Sequence, residues 1–349
     1  HTNFDNILSQ TRKRFGNNVF PMQLPVNQGL GYNQNIDVLR TELISYQNDK
    51  SGKMTENKLP DELKEKVKTL HEELIEYVAE SDDTLLEKFF EQGSLSEEEM
   101  RNGIHRAIQD QVFVPLFCTS STSNIGVTRV CDFIAKYGSS PDDRKTIMAR
   151  DEKGDNIKVS LDGSDSVLQI FKTMSESHVG ELSLFRVYSG QVKTGKDYHN
   201  TNRNTSERFG QMFLLNGKNR TQVDQLFAGD IGGVVKLKDT HTGNTLCSGN
   251  HVILPKLGLP SPNIHAAIRP TAKGDEEKLA IGLATLHEED PTFVYRVDSE
   301  VNQTIISGQG ELHLTVSTER LKRKFGIGID LEETKVPYRE TIMSKGHAK

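Results

Sequence analysis

Phosphoryl-transfer chemistry needs a loop of backbone amides around the β and γ phosphates, a lysine, and a Ser or Thr hydroxyl on magnesium, the GxxxxGK[ST] pattern. No such string occurs in the sequence. Two shorter strings imitate the partners of that loop. Asn57-Lys58-Leu59-Pro60-Asp61 approaches the guanine-reading NKxD, but its Asp falls one residue late and among helix-forming polar residues. Asp230-Ile231-Gly232-Gly233 satisfies DxxG, a magnesium-switch pattern, inside a β-rich stretch. There the glycines more simply serve a bulge or a close backbone approach. His105, His178, His241, His265, His287 and His313 show no metal-ligand spacing, and HExxH is absent, so no metal site is expected. Glu288, Glu289 and Asp290 have the side chains of catalytic carboxylates. They close an amphipathic helix just before Pro291, and a solvated helix end is the reading they are given. No Ser/His/Asp or Cys/His signature has family context, and no catalytic residue is assigned.

The bulk chemistry narrows the classes. The 349 residues suffice for two or three domains, and 34% hydrophobic with 26% charged residues is a globular composition. No run approaches the roughly 18 apolar residues of a membrane span, and no signal-peptide pattern opens the chain. Cys118, Cys131 and Cys247 are scattered without a CxxC pair, which predicts structural thiols and a cytoplasmic location. A net charge of −6 argues against a protein that coats nucleic acid unaided. The charge is uneven: Asp61 to Glu99 holds 14 acidic and 4 basic residues, whereas Glu319 to Lys324 reads ERLKRK.

Periodicity supplies the elements. Phe4, Ile7, Leu8 and Phe15 recur at helical spacing before Gly16, and VFPMQLPV (19–26) reads as a buried strand. Leu63, Val67, Leu70, Leu74 and Tyr77 predict an amphipathic helix, Thr84 to Phe90 a second, and Ser96 with Glu99 the capping box of a third. The acidic stretch is thus a solvated helical insertion, or a surface for a basic or helical partner. Val112 to Cys118 predicts a strand buried on both faces, followed by the polar loop TSSTSNIG and a helix from Val127 to Tyr137. Residues 141–160 read as a linker. From Val167 to Leu254, short β-rich runs alternate with turns at Gly190, Gly195, Gly229 and Gly243, predicting an all-β barrel. After the Pro-rich LGLPSP, the order strand, helix, two strands, helix, strand over 264–331 predicts a split βαβ, ferredoxin-like unit.

Several strings, in their order and spacing, resemble the elongation factor G family of translational GTPases. LSLFRVYSGQVKTG and AGDIGGVVKLKDTHTGNTLC look like its second domain; EEDPTF, QTIISGQGELHL, ERLKRKFG and PYRETI look like its third. PMQLP, the acidic helices and VPLFCTSS resemble the later part of its GTPase domain with that domain's insert. The resemblance implies a multidomain α/β, all-β and α+β protein. Residues 1–140 would be the C-terminal part of a GTPase lobe with a helical insert at about 46–110. Residues 141–160 would be a linker, 161–260 a translation-type β-barrel, 261–336 a ferredoxin-like domain, and 337–349 the link to a further domain. The chain would begin just after the family's NKxD.

What the resemblance implies for function follows the same positions. The last guanine motif would fall on Thr119, Ser120 and Ser121, with a backbone N–H donated to the guanine carbonyl; an ordinary polar βα loop is the rival reading. Gly308, Gly310 and Glu311 match a GxGEL turn, whose glycines are expected to supply backbone freedom. Arg320, Lys322, Arg323 and Lys324 are candidate contacts to ribosomal phosphates; an exposed helix face is the equal rival. The parent protein would bind GTP with Mg2+ and drive tRNA–mRNA translocation on the ribosome, touching small-subunit RNA and protein and the stalk protein. A monomer without membrane contact is expected. The chain itself, without P-loop, switch regions or NKxD, is expected to carry no bound cofactor and to be inactive alone. Within the family, a ribosomal protection protein for tetracycline shares the domain order. The TSSTSN loop and the closing KGHAK favour a divergent paralogue. A non-enzymatic ribosome-binding module is the reading from another class.

Overall fold

The computed structural model describes residues 3–176, 180–341 and 346. His178, Ile342 and all of the closing KGHAK except Gly346 lie outside the described residues. The chain divides into two compact units, 1–140 and 141–349.

The first unit contains α1 (Phe4–Phe15), β1 (Val19–Pro21), β2 (Gln23–Pro25), β3 (Gln34–Asp37), β4 (Glu42–Tyr46) and β5 (Met54–Asn57). It continues with α2 (Asp61–Ala79), α3 (Asp83–Gln92), α4 (Glu97–Gln109), β6 (Val114–Leu116) and α5 (Val127–Tyr137). Helix α1 is capped by Asn3 and stopped at Gly16, as the spacing predicts. The expected single strand breaks at Met22 because its halves find different partners: β1 pairs in parallel with β6, while β2 opens an antiparallel meander β2-β3-β4-β5. The β6 run is not buried on both faces. Among the described residues β1 is its only strand partner, and Val114 remains 38% exposed. The helices of the insert begin only at Asp61; residues 46–57 belong to the β4–β5 hairpin instead. The capping box is formed as expected, with Ser96 and Glu99 satisfying each other's backbone amides. Apolar faces of α2, α4 and α5 meet β1–β3 in one core around Phe20, Val38, Leu74, Ile104, Phe113 and Phe133.

The second unit opens with a hairpin where a linker was expected. Thr146–Asp151 (β7) and Asn156–Ser160 (β8) alternate inward and outward residues, and with Val252–Ile253 (β19) they form a three-stranded sheet. Ala149, Val167, Cys247, Val252 and Leu254 pack beneath it, so 141–160 is part of the β architecture. The remaining strands are β9 (Val167–Glu176), β10 (Gly180–Ser189), β11 (Gln191–Lys193), β12 (Asp197–Asn200), β13 (Thr205–Arg208) and β14 (Met212–Asn216). They are followed by β15 (Asn219–Val223), β16 (Gln225–Phe227), β17 (Ile231–Val235) and β18 (Thr245–Cys247). Eight form an antiparallel sheet β13-β12-β18-β9-β10-β17-β14-β15, and β11 pairs with β16. Strands of both sheets line one core, with Phe185, Phe209 and Met212 at its centre, as in a barrel. The four expected turn glycines all have positive φ, between 63° and 97°. Gly232 lies inside β17, where a Cβ would stand 2.3 Å from Leu226, so close approach is the reason for glycine in this DxxG string.

The last part comprises β20 (Ile264–Pro270), α6 (Glu276–Glu289), β21 (Val294–Asp298), β22 (Gln303–Gly308), α7 (Glu311–Phe325) and β23 (Ile329–Glu332). Its antiparallel sheet has the order β21-β22-β20-β23, the split βαβ arrangement. Leu279, Leu283 and Leu286 from α6 and Leu314 and Leu321 from α7 cover Ile268 and Ile306 of the sheet. The GxGEL turn is built differently from expectation. Gly310 has φ −174°, extended backbone open to any residue, and Gly308 is required by contact: a Cβ there would meet Leu314 at 2.9 Å.

Candidate functional site

The loop between β6 and α5 is held closed by its own backbone. Ser120 and Ile125 exchange N–H···O bonds of 2.9 Å in each direction, and the Asn124 amide donates to the Ser121 carbonyl at 3.3 Å. The N–H of Ser120 is therefore consumed within the loop. Ser121 is exposed, and its N–H has no partner among the described residues, which leaves it, rather than Ser120, free to meet a carbonyl. Thr119 is exposed and keeps an ordinary negative φ, so its side chain fits without strain.

The β2–β5 meander anchors this loop at three levels. At its root, the Cys118 carbonyl accepts from the Tyr32 hydroxyl and from Asn35 Nδ2, both at 2.9 Å. Burial pushes the Cys118 thiol up to about 12, so it is a neutral packing group and no nucleophile. At its far end, Asn124 Nδ2 donates to the Lys50 carbonyl at 3.2 Å, at the tip of the β4–β5 hairpin. Behind it, Arg129 of α5 is buried and bonds Glu42 at 2.8 Å and Glu56 at 2.6 Å, one carboxylate from each hairpin strand. Burial, then the charge of Glu56, raises the Glu42 pKa, and Arg129 opposes them. A cleft of about 340 Å³ lies alongside, lined by Phe4, Ile7, Tyr32, Phe117, Cys118 and Thr119.

The four cations of α7 do not act together. Arg320 pairs with Glu289, and Lys324 bonds Glu289 Oε1 and the Ser175 carbonyl, each at 2.7 Å. Two of the four are thus committed to an internal hub, and only Lys322 and Arg323 are exposed without an ion pair among the described residues. The same hub corrects the reading of Glu288, Glu289 and Asp290 as a solvated helix end. Glu289 is only 5% exposed and also accepts the Ser175 N–H of β9 at 2.9 Å, while Lys172 reaches its carbonyl at 2.5 Å. Glu288 meets His241 at 2.8 Å, and Asp290 lies 3.3 Å from His313. The hub escapes the sequence because its partners are spread along the chain, Arg320 and Lys324 lying 31 and 35 residues from Glu289, and Ser175 and Lys172 more than a hundred. The burial signal was present, however: Glu289 follows Leu286 by three positions on the apolar face of α6. Among the described residues no group of three His, Cys, Asp or Glu side chains could hold a metal, and no helix is long and apolar enough to cross a membrane.

With this geometry in place, similarity to known proteins becomes informative. Residues 167–249 match the family described as elongation factor G domain 2, and residues 259–333 match Elongation Factor G, domain III. A crystal structure from Thermus thermophilus superposes with a TM-score of 0.83 at 27% identity, covering 97% of this chain and 48% of that one. The chain therefore spans about half the length of the structure it matches. A β-barrel followed directly by this split βαβ unit places the chain among the translation factors. More narrowly, residues 167–249 and 259–333 carry the second and third domains of the elongation factor G family, and the rest of the chain shares the fold of that longer Thermus protein.

Proposed function

We propose that the protein carrying this chain is a ribosome-binding GTPase that uses GTP and Mg2+ in the cytoplasm to drive tRNA–mRNA translocation. The observation that supports this reading is the order of an α/β lobe, domain 2 and domain III within one chain. In that protein the Ser121 amide would donate to the guanine carbonyl, a contact that reads the base but contributes little to hydrolysis. Phosphate and magnesium contacts supply most of the transition-state stabilisation, and these 349 residues hold no loop for them. The isolated chain is therefore expected neither to bind GTP tightly nor to hydrolyse it. Lys322 and Arg323 remain as candidate contacts to ribosomal phosphates, since Arg320 and Lys324 are engaged by Glu289.

The test is GTP turnover by the longer protein with and without purified ribosomes. Strong stimulation by ribosomes is the expected outcome. Ribosome binding without stimulation would overturn the GTPase reading in favour of a factor that works by occupancy alone.

A further inference from the structure

We propose that the β4–β5 hairpin is a clasp that sets how long a guanine base stays in the 119–126 loop, with Asn124 as its positioning residue. The inference rests on the reading of that loop as guanine-binding and assigns the part that governs release.

The hairpin touches the loop and the helix behind it with different parts. Its tip, Asp49-Lys50-Ser51-Gly52, is itself locked: Asp49 accepts from the Ser51 N–H at 2.9 Å, and Lys50 and Gly52 have φ of 62° and 72°. Against this tip lies the Asn124 amide, donating to the Lys50 carbonyl at 3.2 Å. It packs so closely over Gly52 that a Cβ there would stand 2.7 Å from Asn124 Nδ2. Asn124 has φ 54°, a conformation that Asn tolerates better than most residues, so backbone and side chain agree in aiming the amide at the hairpin. The shanks of the hairpin hold Arg129 through Glu42 and Glu56, so α5, which carries the loop's other end, is fixed to the same two strands.

The consequence is kinetic. The Ser121 amide is held in place by the Ser120–Ile125 bridge and by the Asn124 contact to the hairpin. A base held at the Ser121 amide leaves as the tip of the loop opens, and opening the tip breaks the Asn124 bond to the hairpin. A group outside the base-contacting residues would then slow release without touching the nucleotide.

The experiment uses the longer protein and N-methylanthraniloyl-GDP, chased with excess unlabelled GDP in a stopped-flow instrument. Asn124→Asp keeps the shape and the left-handed backbone but turns a donor into an acceptor facing the Lys50 carbonyl. Asn124→Gly keeps the backbone and removes the side chain, and serves if the first variant folds poorly. Release should quicken roughly three- to tenfold, the scale of one net hydrogen bond, while the association rate stays near wild type and the thermal midpoint falls by no more than a few degrees. Release within about twofold of wild type in both variants would overturn the clasp. Ser121→Pro separates the two layers of the argument. If it weakens GDP binding while both Asn124 variants are silent, only the clasp falls. If it leaves binding unchanged, the loop is not the base site and both readings fall.

Discussion

Arg129 shows how much one side chain can carry. Its side chain is 5% exposed and serves two carboxylates on neighbouring strands, so its removal would leave Glu42, in a partly buried site, with only the more distant Arg40 at 3.7 Å to offset its charge. Arg129→Met, which preserves bulk, is expected to lower stability by about 3 kcal/mol, measured by urea unfolding; the half-exposed Glu56 keeps the loss at the lower end for a broken buried pair. Glu99 gives the residue-scale acid response. Bonds from Lys88 and from the Ser96 amide and hydroxyl hold its carboxyl down at about 2, against an ordinary 4.5. A depressed carboxyl pKa contributes stability that is complete above the ordinary value and lost as the pH falls toward the folded one. The insert helices should therefore weaken between about pH 4.5 and 2, and Glu99→Gln should flatten that part of the curve when helicity is followed by circular dichroism.

At the scale of elements, the second helical pair is set by a glycine rather than by a leucine stripe. A Cβ at Gly282 of α6 would lie 2.7 Å from Leu321 and 3.4 Å from Phe325, both on α7. Gly282→Val would gain helix propensity yet force the two helices apart; a net loss of about 1–3 kcal/mol is expected in thermal unfolding. The sequence disclosed the helices well because each carries a periodic apolar face: Leu63, Val67, Leu70, Leu74 and Tyr77 all lie in α2, and Ser96 begins α4 through its capping box. It disclosed strand pairing poorly. VFPMQLPV reads as one apolar run, and only tertiary pairing sends Val19–Pro21 to β6 and Gln23–Pro25 to β3. The β7–β8 hairpin was hidden by its polar outer face: Arg150, Asn156 and Lys158 look like a linker while β19, the third strand of the sheet, lies about a hundred residues away.

For the whole molecule, order along the chain was the legible quantity, and long-range polar contact was not. The succession of an α/β lobe, a barrel and a split βαβ unit follows from the changing period of the apolar residues. The commitment of Arg320 and Lys324 does not, because ERLKRK on its own is simply a basic helix end. Within the second unit Glu289 ties α6 and α7 to β9, and Glu289→Ala would leave two cations facing each other across an empty site. That variant is expected to lower the melting temperature of the 141–349 unit, whereas Glu289→Gln, which keeps an acceptor, should lose less. The hub has a further consequence for inheritance. Toward the barrel, the side chains of Glu289 and Lys324 grip main-chain atoms of Ser175, which every residue but proline supplies on both sides, while Lys172 of β9 reaches the Glu289 carbonyl. Position 175 is therefore free to drift, while Glu289, Arg320 and Lys324 must change in concert. Exchanging barrels between distant relatives should leave the Ser175 contacts intact wherever Lys172 is kept, and exchanging a single helix should break the joint.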